Sequence, residues 1–393
     1  MRVTALDACD SPVTRCADGV AIFRILGSCL ECEGREKSRT PYNERSDCRP
    51  RTTLLEEAVY VIDSSKWSGQ PVLVTGAAGF IGSHLVEALA RAGAEVRAFV
   101  RYNSRNDYGW LEQLDSALVD EIDIFRGDLA NPEAVGSAAR GRETIFHLGA
   151  LIPIPYSYRH PREFVEANVV GTLNILEACR GDSVRRLVHT STSEVYGTAM
   201  RVPIDEEHPL NAQSPYAATK IAADQLALSF WRSFDTPVVV ARPFNTFGPR
   251  QSARAVIPTL ITQALDREEV ELGSTHPTRD FLYVEDLVAG FARCAEAEGV
   301  EGEVVNLGSG VEISIAELAE LVFRLVGREL STTFSEDRAR PPASEVERLL
   351  ADTSKAGRLL EWTPEVGLEE GLRRTIDWFR DFIGAYKPSL YNV

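Results

Sequence analysis

The sequence predicts a doubly wound α/β fold, in which helices cover both faces of a parallel sheet. Strand-like and helix-like segments alternate from Trp67 to about residue 250 with short links between them, and this order is typical of a parallel sheet. After residue 250 the segments become shorter and mixed. That change favours a smaller mixed α/β lobe over the carboxyl edge of the sheet, where ligands bind in such folds.

The individual elements follow from apolar patterns. Segment 71–101 reads as a strand, a glycine turn, an amphipathic helix and a second strand, and Gly93 predicts the end of that helix. Further strands are predicted at 121–129, 142–150, 184–191 and 237–245. Helices are predicted at about 131–140, 161–180 and 214–234, and the proline-rich segment 338–345 is expected to be a loop.

Residues 1–66 lack a sustained helical or strand period, so we predict a poorly ordered N-terminal extension. Its Cys29 and Cys32 have a spacing found in zinc sites, but no second well-spaced pair completes four ligands, and we expect no metal. The start of the chain does not resemble a signal peptide, and no apolar run reaches the roughly 18 residues of a membrane span. We therefore expect a cytoplasmic protein that does not contact a membrane.

The net charge of −16 bears on the kind of partner. Nucleic-acid binding requires a basic surface, so an acidic chain is not expected to bind nucleic acid. A small anionic ligand held by a few buried arginines remains compatible with this charge.

The segment "GAAGFIG" follows a predicted strand and opens a helix. Gly76 allows a tight turn, Gly79 lets backbone N–H groups approach a pyrophosphate, and Gly82 lets helix and strand pack closely. This context predicts a dinucleotide-binding Rossmann domain over residues 67–250. Residues 251–393 are then mainly a substrate-binding lobe, with some segments returning to the Rossmann domain.

The second strand ends in Arg101, at the position where an acid usually holds the adenosine ribose. A guanidinium there suits a 2′-phosphate or stacks on adenine, whereas Asn103 or Ser104 could serve an unphosphorylated ribose. The cofactor is therefore NAD or NADP, and the sequence leaves this choice open.

Hydroxyl and acidic residues follow the strand "RRLVHT", where a core would place Leu or Val. Thr192 and Glu194 are thus predicted to face the ligand cleft. Tyr216 and Lys220 lie four residues apart on one helix, so they share a face, and a nearby ammonium is expected to lower the pKa of the tyrosine. Together with the glycine turn, Thr192, Tyr216 and Lys220 indicate hydride transfer at a sugar or alcohol carbon.

The motifs "GAAGFIG", "RGDL", "HLGA", "STSEVYG", "YAATK", "RPFNTFGPRQ" and "RDFLYVEDL" jointly resemble the extended short-chain dehydrogenases/reductases that act on nucleotide sugars. Over residues 70–390 the chain is most similar to the configuration-retaining 4,6-dehydratases. Three stretches, "FVRYNSR", "IPIPYSY" and "PFNTFGPRQSARAVIPTLITQAL", resemble the branch that acts on nucleotide-linked N-acetylglucosamine in legionaminic-acid biosynthesis. The expected substrate is therefore UDP- or GDP-N-acetylglucosamine, with a tightly bound, recycled NAD or NADP.

The resemblance also implies residue roles and a homodimer formed through helices 161–180 and 214–234. The implied cofactor contacts are Gly76, Gly79, Phe80, Ile81, Gly82, Asp128, Leu129, Leu148, Gly149 and Ala150, with Tyr216 and Lys220. The implied substrate contacts are Asn245, Arg254 and Arg279 near the diphosphate, and Arg340 and Glu345 near the phosphate and nucleoside ribose.

One departure from the family pattern leaves the reaction open. Many sugar 4,6-dehydratases have Asp-Glu after the threonine, whereas this chain has Ser193 and Glu194. The Thr-Ser-Glu triplet resembles GDP-mannose 4,6-dehydratases but also UDP-glucuronate decarboxylases. We predict that Glu194 takes the C5 proton and that Ser193, directly or through a water, assists the C6 hydroxyl. The alternatives are a decarboxylase, a 4-epimerase, which leaves Glu194 without a role, and a redox-inactive cofactor-binding sensor or scaffold.

Overall fold

The computed structural model describes residues 62–181 and 184–386. Most of the predicted N-terminal extension, including Cys29 and Cys32, lies outside these residues. Its last part is folded, because Ser64–Trp67 forms a short helix capped by Asp63. Trp67 is 3% exposed and donates its indole N–H to Glu296 Oε1 at 2.7 Å. The predicted boundary at residue 66 was therefore a few residues too late, since the buried tryptophan anchors the preceding turn.

The strands, in chain order, are β1 Pro71–Thr75, β2 Glu95–Arg101, β3 Asp123–Gly127, β4 Thr144–His147, β5 Arg186–Thr190, β6 Val238–Pro243, β7 Asn245–Phe247, β8 Glu269–Leu272, β9 Thr278–Tyr283, β10 Val304–Leu307, β11 Glu312–Ser314 and β12 Ser331–Phe334.

The α-helices are α1 Ser64–Trp67, α2 Phe80–Arg91, α3 Ser116–Asp120, α4 Pro132–Ala139, α5 Ile154–Arg159, α6 Pro161–Phe164, α7 Gly171–Ala178, α8 Pro215–Phe234, α9 Val256–Asp266, α10 Val284–Glu296, α11 Ile315–Val326, α12 Ser354–Leu360 and α13 Leu368–Phe382. A π-helical segment, Val165–Val170, joins α6 to α7.

A seven-stranded sheet with the order β10-β6-β5-β4-β1-β2-β3 forms the larger part of the fold, and all its neighbouring strands are parallel. Its central strands are continuous apolar runs buried on both faces, as a helix-covered parallel sheet requires. The predicted doubly wound fold is confirmed. The seventh strand, β10, was not predicted, because it lies far along the chain and joins the large sheet only through its pairing with β6.

The smaller lobe contains the three-stranded sheet β11-β9-β7, the two-stranded sheet β12-β8 and helices α9, α11 and α13. It has both parallel and antiparallel pairs, as expected for a mixed lobe. Three later elements, α10, β10 and α12, instead pack with the large sheet and its core. None of the helices in the part of the chain that the structure describes has the length and apolar character needed to cross a membrane.

The strand order reverses between β1 and β4: the chain adds β2 and β3 on one side of β1, and it adds β5, β6 and β10 on the far side of β4. In open α/β sheets the connections that leave such a point separate and open a crevice at the carboxyl ends of the strands. The glycine turn after β1 and the Leu148–Ala150 segment after β4 both lie at this crevice.

Candidate active site

A cavity of about 900 Å³ lies at the carboxyl edge of the large sheet and extends to the smaller lobe. All but one of the sequence-predicted site residues line it, and Ser193 is the exception. The predicted residues in the wall are Gly76, Gly79, Phe80, Ile81, Gly82, Arg101, Asp128, Leu129, Leu148, Gly149, Ala150, Thr192, Glu194, Tyr216, Lys220, Asn245, Arg254, Arg279, Arg340 and Glu345.

The glycine turn has the geometry of a phosphate cradle. Gly76 has φ +69°, and a Cβ there would lie 2.9 Å from the Gly149 nitrogen. Gly79 is the N-cap of α2 and has no side chain that could accept hydrogen bonds from the first helical turn. The N–H groups of that turn therefore remain available on the side of the cavity. A Cβ at Gly82 would press into the Gly76 carbonyl oxygen. The turn therefore fits a dinucleotide pyrophosphate on grounds of backbone shape alone.

Replacement of Gly82 by alanine is expected to abolish dinucleotide binding and to lower the melting temperature. The added methyl group collides with backbone atoms of Gly76 and Ala77, which have no room to move away. Gly136, on α4, is the matched control, because a Cβ there meets no atom within 4 Å. Calorimetric binding of NAD and NADP together with thermal unfolding measures both effects. Normal binding by Gly82→Ala would contradict the close packing of this turn.

The adenosine end of the cavity lies beside β2 and β3. The Arg101 side chain is 80% exposed, and its Nε lies 3.9 Å from the Asp128 carboxylate. An exposed ion pair of this length contributes little to stability. The fold therefore depends little on this ion pair, and both side chains remain available to contact a ligand.

The segment after β4 is held by buried hydrogen bonds. The Gly149 N–H donates to Thr75 Oγ1 at 3.0 Å, and Thr75 Oγ1 lies 2.8 Å from His147 Nδ1. Asn168 bonds both backbone groups of Leu151, at 2.8 and 2.9 Å. These bonds fix the wall opposite the glycine turn. The His147 side chain is buried among these hydrogen bonds and does not line the cavity.

Tyr216 and Lys220 lie on one face of α8, as predicted, and both are almost fully buried. The Thr192 hydroxyl lies near Tyr216 and lowers the pKa of that tyrosine, and Lys220 Nζ donates to the Thr190 carbonyl at 2.6 Å. The three side chains therefore meet at the end of β5.

The expected lowering of the Tyr216 pKa by Lys220 is wrong for the protein alone. Burial raises the pKa of Tyr216, and the negative charges of Glu194 and Asp224 raise it further, against the opposing Thr192 hydrogen bond. Burial also lowers the pKa of Lys220 to about 8, with Asp224 acting in the opposite direction. The sequence predicted that the two side chains share a face, but it did not predict their burial, which disfavours the charged form of each.

Glu194 is a buried acidic residue in the wall of the cavity. It lies in the short 3₁₀ turn Ser193–Tyr196, capped by Thr192, and its side chain is 10% exposed. Arg340 Nη1 lies 3.4 Å from Glu194 Oε1. Burial alone would lower the pKa of Arg340, but Glu194 and Glu345 raise it above its ordinary value. The cavity thus contains a buried carboxylate and guanidinium beside the Thr192–Tyr216–Lys220 group.

The predicted role of Ser193 needs correction. Ser193 is 1% exposed and does not line the cavity, because the turn after Thr192 directs it into the protein. Its predicted role at C6 is therefore abandoned. Arg340 lies beside Glu194, because the loop around the turn Pro342–Ser344 brings it to the end of β5, and its predicted contact with a phosphate stays a prediction.

The remaining substrate-side residues come from the lobe and its connections. Arg279, on β9, lies 3.3 Å from Glu345 and is 7% exposed. Burial lowers the pKa of Arg254, whose Nε donates to Ser252 Oγ at 3.1 Å. Asn245 is the first residue of β7. The buried Arg279, the exposed Arg254 and the Asn245 amide thus face the same cavity, which suits an anionic ligand.

Sequence reasoning missed a buried network beneath the site. Asp224, one turn after Lys220, is fully buried and accepts hydrogen bonds from Ser191 Oγ at 2.6 Å and Arg242 Nη2 at 2.9 Å. His189 Nε2 also lies 3.2 Å from the Asp224 carboxylate. An acid at helical spacing from Lys220 was the available signal. Within residues 62–181 and 184–386, no cluster of His, Cys, Asp or Glu side chains forms a metal site.

The comparisons with known proteins agree with this site. Residues 73–375 match the family model described as GDP-mannose 4,6 dehydratase. The chain is 35% identical over 317 residues to the UDP-glucose 4-epimerase of Mycolicibacterium smegmatis, covering 79% of this chain and 98% of the relative. It is 33% identical over 325 residues to the dTDP-glucose 4,6-dehydratase of Streptomyces niveus, covering 81% and 95%. A crystal structure of the UDP-glucuronic acid 4-epimerase of Bacillus cereus, in complex with UDP-glucuronic acid and NAD, has a TM-score of 0.72 and 29% identity, covering 79% and 99%.

Proposed function

The chain belongs to the GDP-mannose 4,6-dehydratase family of extended short-chain dehydrogenases/reductases, and we propose that it is a nucleotide-sugar 4,6-dehydratase. The reaction is oxidation of the sugar at C4, loss of water across C5 and C6, and reduction at C6. The predicted substrate is UDP- or GDP-N-acetylglucosamine. The observation that carries the proposal is the buried Glu194 carboxylate, which shares the cavity with Thr192, Tyr216 and Lys220.

Gly76, Gly79 and Gly82 would hold the pyrophosphate of NAD(P), and the bound cofactor would supply the hydride acceptor for C4 and the hydride donor for C6. Tyr216 takes the proton of the C4 hydroxyl, and Thr192 orients that hydroxyl through the contact it already makes with Tyr216. Lys220, held by the Thr190 carbonyl, provides positive charge beside the developing phenolate. Because the hydrogen removed from C4 is returned within one turnover, the cofactor stays bound and is recycled.

Glu194 acts after oxidation. A carbonyl at C4 acidifies the neighbouring C5 proton, so a carboxylate is a sufficient base for its removal. Arg340 balances the charge of Glu194 inside the cavity, where an unpaired carboxylate would be costly. The proton that Glu194 takes from C5 leaves with the C6 hydroxyl as water, and the proton that C5 gains in the final step comes from solvent through Glu194.

A 4-epimerase is the second candidate, because a family relative and a solved structure of similar fold are both named 4-epimerases. Such a reaction uses Thr192, Tyr216 and Lys220 but needs no base at C5. A decarboxylase requires a free cation for the C6 carboxylate of its substrate. Arg340 and Arg279 are instead already paired with Glu194 and Glu345, which favours the dehydratase. A redox-inactive sensor or scaffold would not require Thr192, Tyr216 and Lys220 together.

Incubation with a panel of nucleotide sugars, with the mass of each product measured, tests the proposal. The panel includes UDP- and GDP-N-acetylglucosamine, dTDP-glucose, GDP-mannose, UDP-glucose and UDP-glucuronate. We expect loss of one water from one or more hexose substrates. A product of unchanged mass with inverted C4 would support the epimerase, and loss of carbon dioxide from UDP-glucuronate would support the decarboxylase.

Arg101→Asp is expected to weaken NADP binding far more than NAD binding. The exposed guanidinium at the end of β2 is placed to bind a 2′-phosphate. A carboxylate at the same position would repel that phosphate but would accept hydrogen bonds from the ribose hydroxyls of NAD. Titration of both cofactors against the wild type and Arg101→Asp measures the difference, with Arg105→Asp as the control for net charge. Equal weakening of both would mean that Arg101 only stacks on adenine.

We also propose a homodimer. The helical segment from α6 to α7 exposes Val165 and Val170, which are 47% and 38% exposed, and the last residue of α8 is an exposed Phe234. Pairing of these helices with a second copy would cover those apolar side chains. Light scattering at micromolar concentration is expected to give the mass of a dimer. A monomer would count against the assembly but not against the reaction.

A further inference from the structure

The buried Asp224 cluster lies directly beneath the proposed catalytic residues. Asp224 is on α8, one helical turn after Lys220 and two turns after Tyr216, and it is fully buried. It does not line the cavity, so it cannot touch substrate or cofactor. Its carboxylate nevertheless contacts two neighbouring strands, through Ser191 beyond β5 and Arg242 on β6.

We infer that Asp224 is a positioning residue for oxidation at C4, which fixes the end of β5 and balances the buried ammonium of Lys220. This inference rests on the roles proposed above for Tyr216 and Lys220. It concerns the oxidation step alone, so it is the same whether the later chemistry is dehydration or epimerisation.

The geometry ties the strand end to the catalytic helix at two successive residues. Lys220 Nζ donates to the Thr190 carbonyl at 2.6 Å, and Ser191 Oγ donates to Asp224 Oδ2 at 2.6 Å. Thr192 follows immediately and contacts Tyr216. Two side chains of α8 therefore hold the backbone that presents Thr192 to the substrate hydroxyl.

Among the charged groups near Lys220, Asp224 is the anion that acts on the lysine. Lys220 also faces His147 on β4 and His189 on β5. Burial lowers the pKa of both histidines, so both are neutral at physiological pH. Arg242 shares the Asp224 carboxylate and also donates to Tyr196 Oη at 3.0 Å.

Removal of the Asp224 charge is expected to shift the pKa of Lys220 in one direction. Burial already lowers the pKa of Lys220 to about 8, and the Asp224 charge opposes that effect. Without this charge the pKa of Lys220 falls further. Activity that requires the ammonium would then be lost at a lower pH, so the alkaline limb of the pH–rate profile for C4 oxidation moves toward acid.

The principal test is the double variant Asp224→Asn/Arg242→Gln. Removing both partners avoids an unpaired buried guanidinium, which would destabilise the fold of the single variant. Lysine labelled with ¹³C at Cε reports the titration directly, because Lys37, Lys66, Lys220, Lys355 and Lys387 are the only lysines in the sequence. The signal that disappears in Lys220→Met identifies the residue.

We expect the Lys220 midpoint in the double variant to fall by about one pH unit or more, the size of effect that loss of a nearby opposite charge produces. The alkaline limb of C4 oxidation should fall with it. The control, Arg186→Gln/Glu301→Gln, removes another ion pair, whose atoms lie 2.8 Å apart, and should leave the Lys220 midpoint unchanged. An unchanged midpoint in the Asp224 variant would overturn the electrostatic role.

Ser191→Ala tests the positioning role in a variant that retains every charge. The loss of one hydrogen bond should slow C4 oxidation about tenfold while the Lys220 titration stays as in the wild type. Normal C4 oxidation by Ser191→Ala would overturn the positioning role, whether or not the double variant folds. The lysine titration does not depend on turnover, so failure of the proposed dehydratase reaction and failure of this inference give different results.

Discussion

Tyr216→Phe is expected to lose C4 oxidation almost completely, with kcat reduced by about 10²–10⁴-fold. The change removes the hydroxyl that receives the C4 proton and leaves the ring packed as before, since Tyr216 is 7% exposed and lies edge-on to Phe164. Cofactor binding and the melting temperature should stay close to those of the wild type. The measurement is reduction of the nicotinamide after substrate is added, read by absorbance in a single turnover.

Tyr283→Phe is the matched control for that experiment. Tyr283 is also a buried tyrosine, but it lies in the lobe and does not line the cavity. Removal of its hydroxyl should leave the rate of nicotinamide reduction unchanged. Rapid reduction in Tyr216→Phe would show that another group takes the C4 proton.

Glu194→Gln is expected to oxidise C4 and then stop before water is lost. Thr192, Tyr216 and Lys220 remain, so the first step proceeds, but an amide cannot remove the C5 proton. Overall turnover should fall by about 10²–10⁴-fold, the usual value of general base catalysis. The 4-keto sugar should accumulate with the nicotinamide in its reduced form, and little solvent deuterium should enter C5.

A second change separates loss of the base from disturbance of its partner. Glu194→Gln leaves the Arg340 guanidinium without the carboxylate it contacts at 3.4 Å. The double variant Glu194→Gln/Arg340→Gln removes that unpaired charge and should remain stalled. Recovery of turnover in the double variant, or near-normal turnover by Glu194→Gln, would move the base to another residue. Glu206→Gln, a change at a half-buried acid whose carboxylate binds the Asn306 backbone outside the cavity, is the control.

The sequence was sufficient for the parallel sheet and the glycine turn because these features depend on local patterns. Strand and helix periods repeat within a few residues, and Gly76, Gly79 and Gly82 each satisfy a backbone requirement within one turn. The face shared by Tyr216 and Lys220 likewise follows from their spacing on one helix.

The remaining features depend on contacts between distant segments. Arg340 reaches Glu194 across 146 positions of sequence, and β10 joins the large sheet only through its pairing with β6. Burial is the largest cause of the pKa shifts of Tyr216 and Lys220, and spacing alone gave the wrong direction for the tyrosine. Ser193 shows the same limit, because the direction of one side chain at a strand end depends on the turn that follows.

Transfer of deuterium from C4 of the sugar tests the proposed dehydratase reaction most directly. The substrate identified by the panel is prepared with deuterium at C4, and its position in the product is read by NMR. A 4,6-dehydratase carries the hydrogen from C4 to C6, so we predict deuterium in the C6 methyl group of a 4-keto product. Deuterium that remains at C4, in a product that has lost no water, would contradict the dehydratase and establish a 4-epimerase.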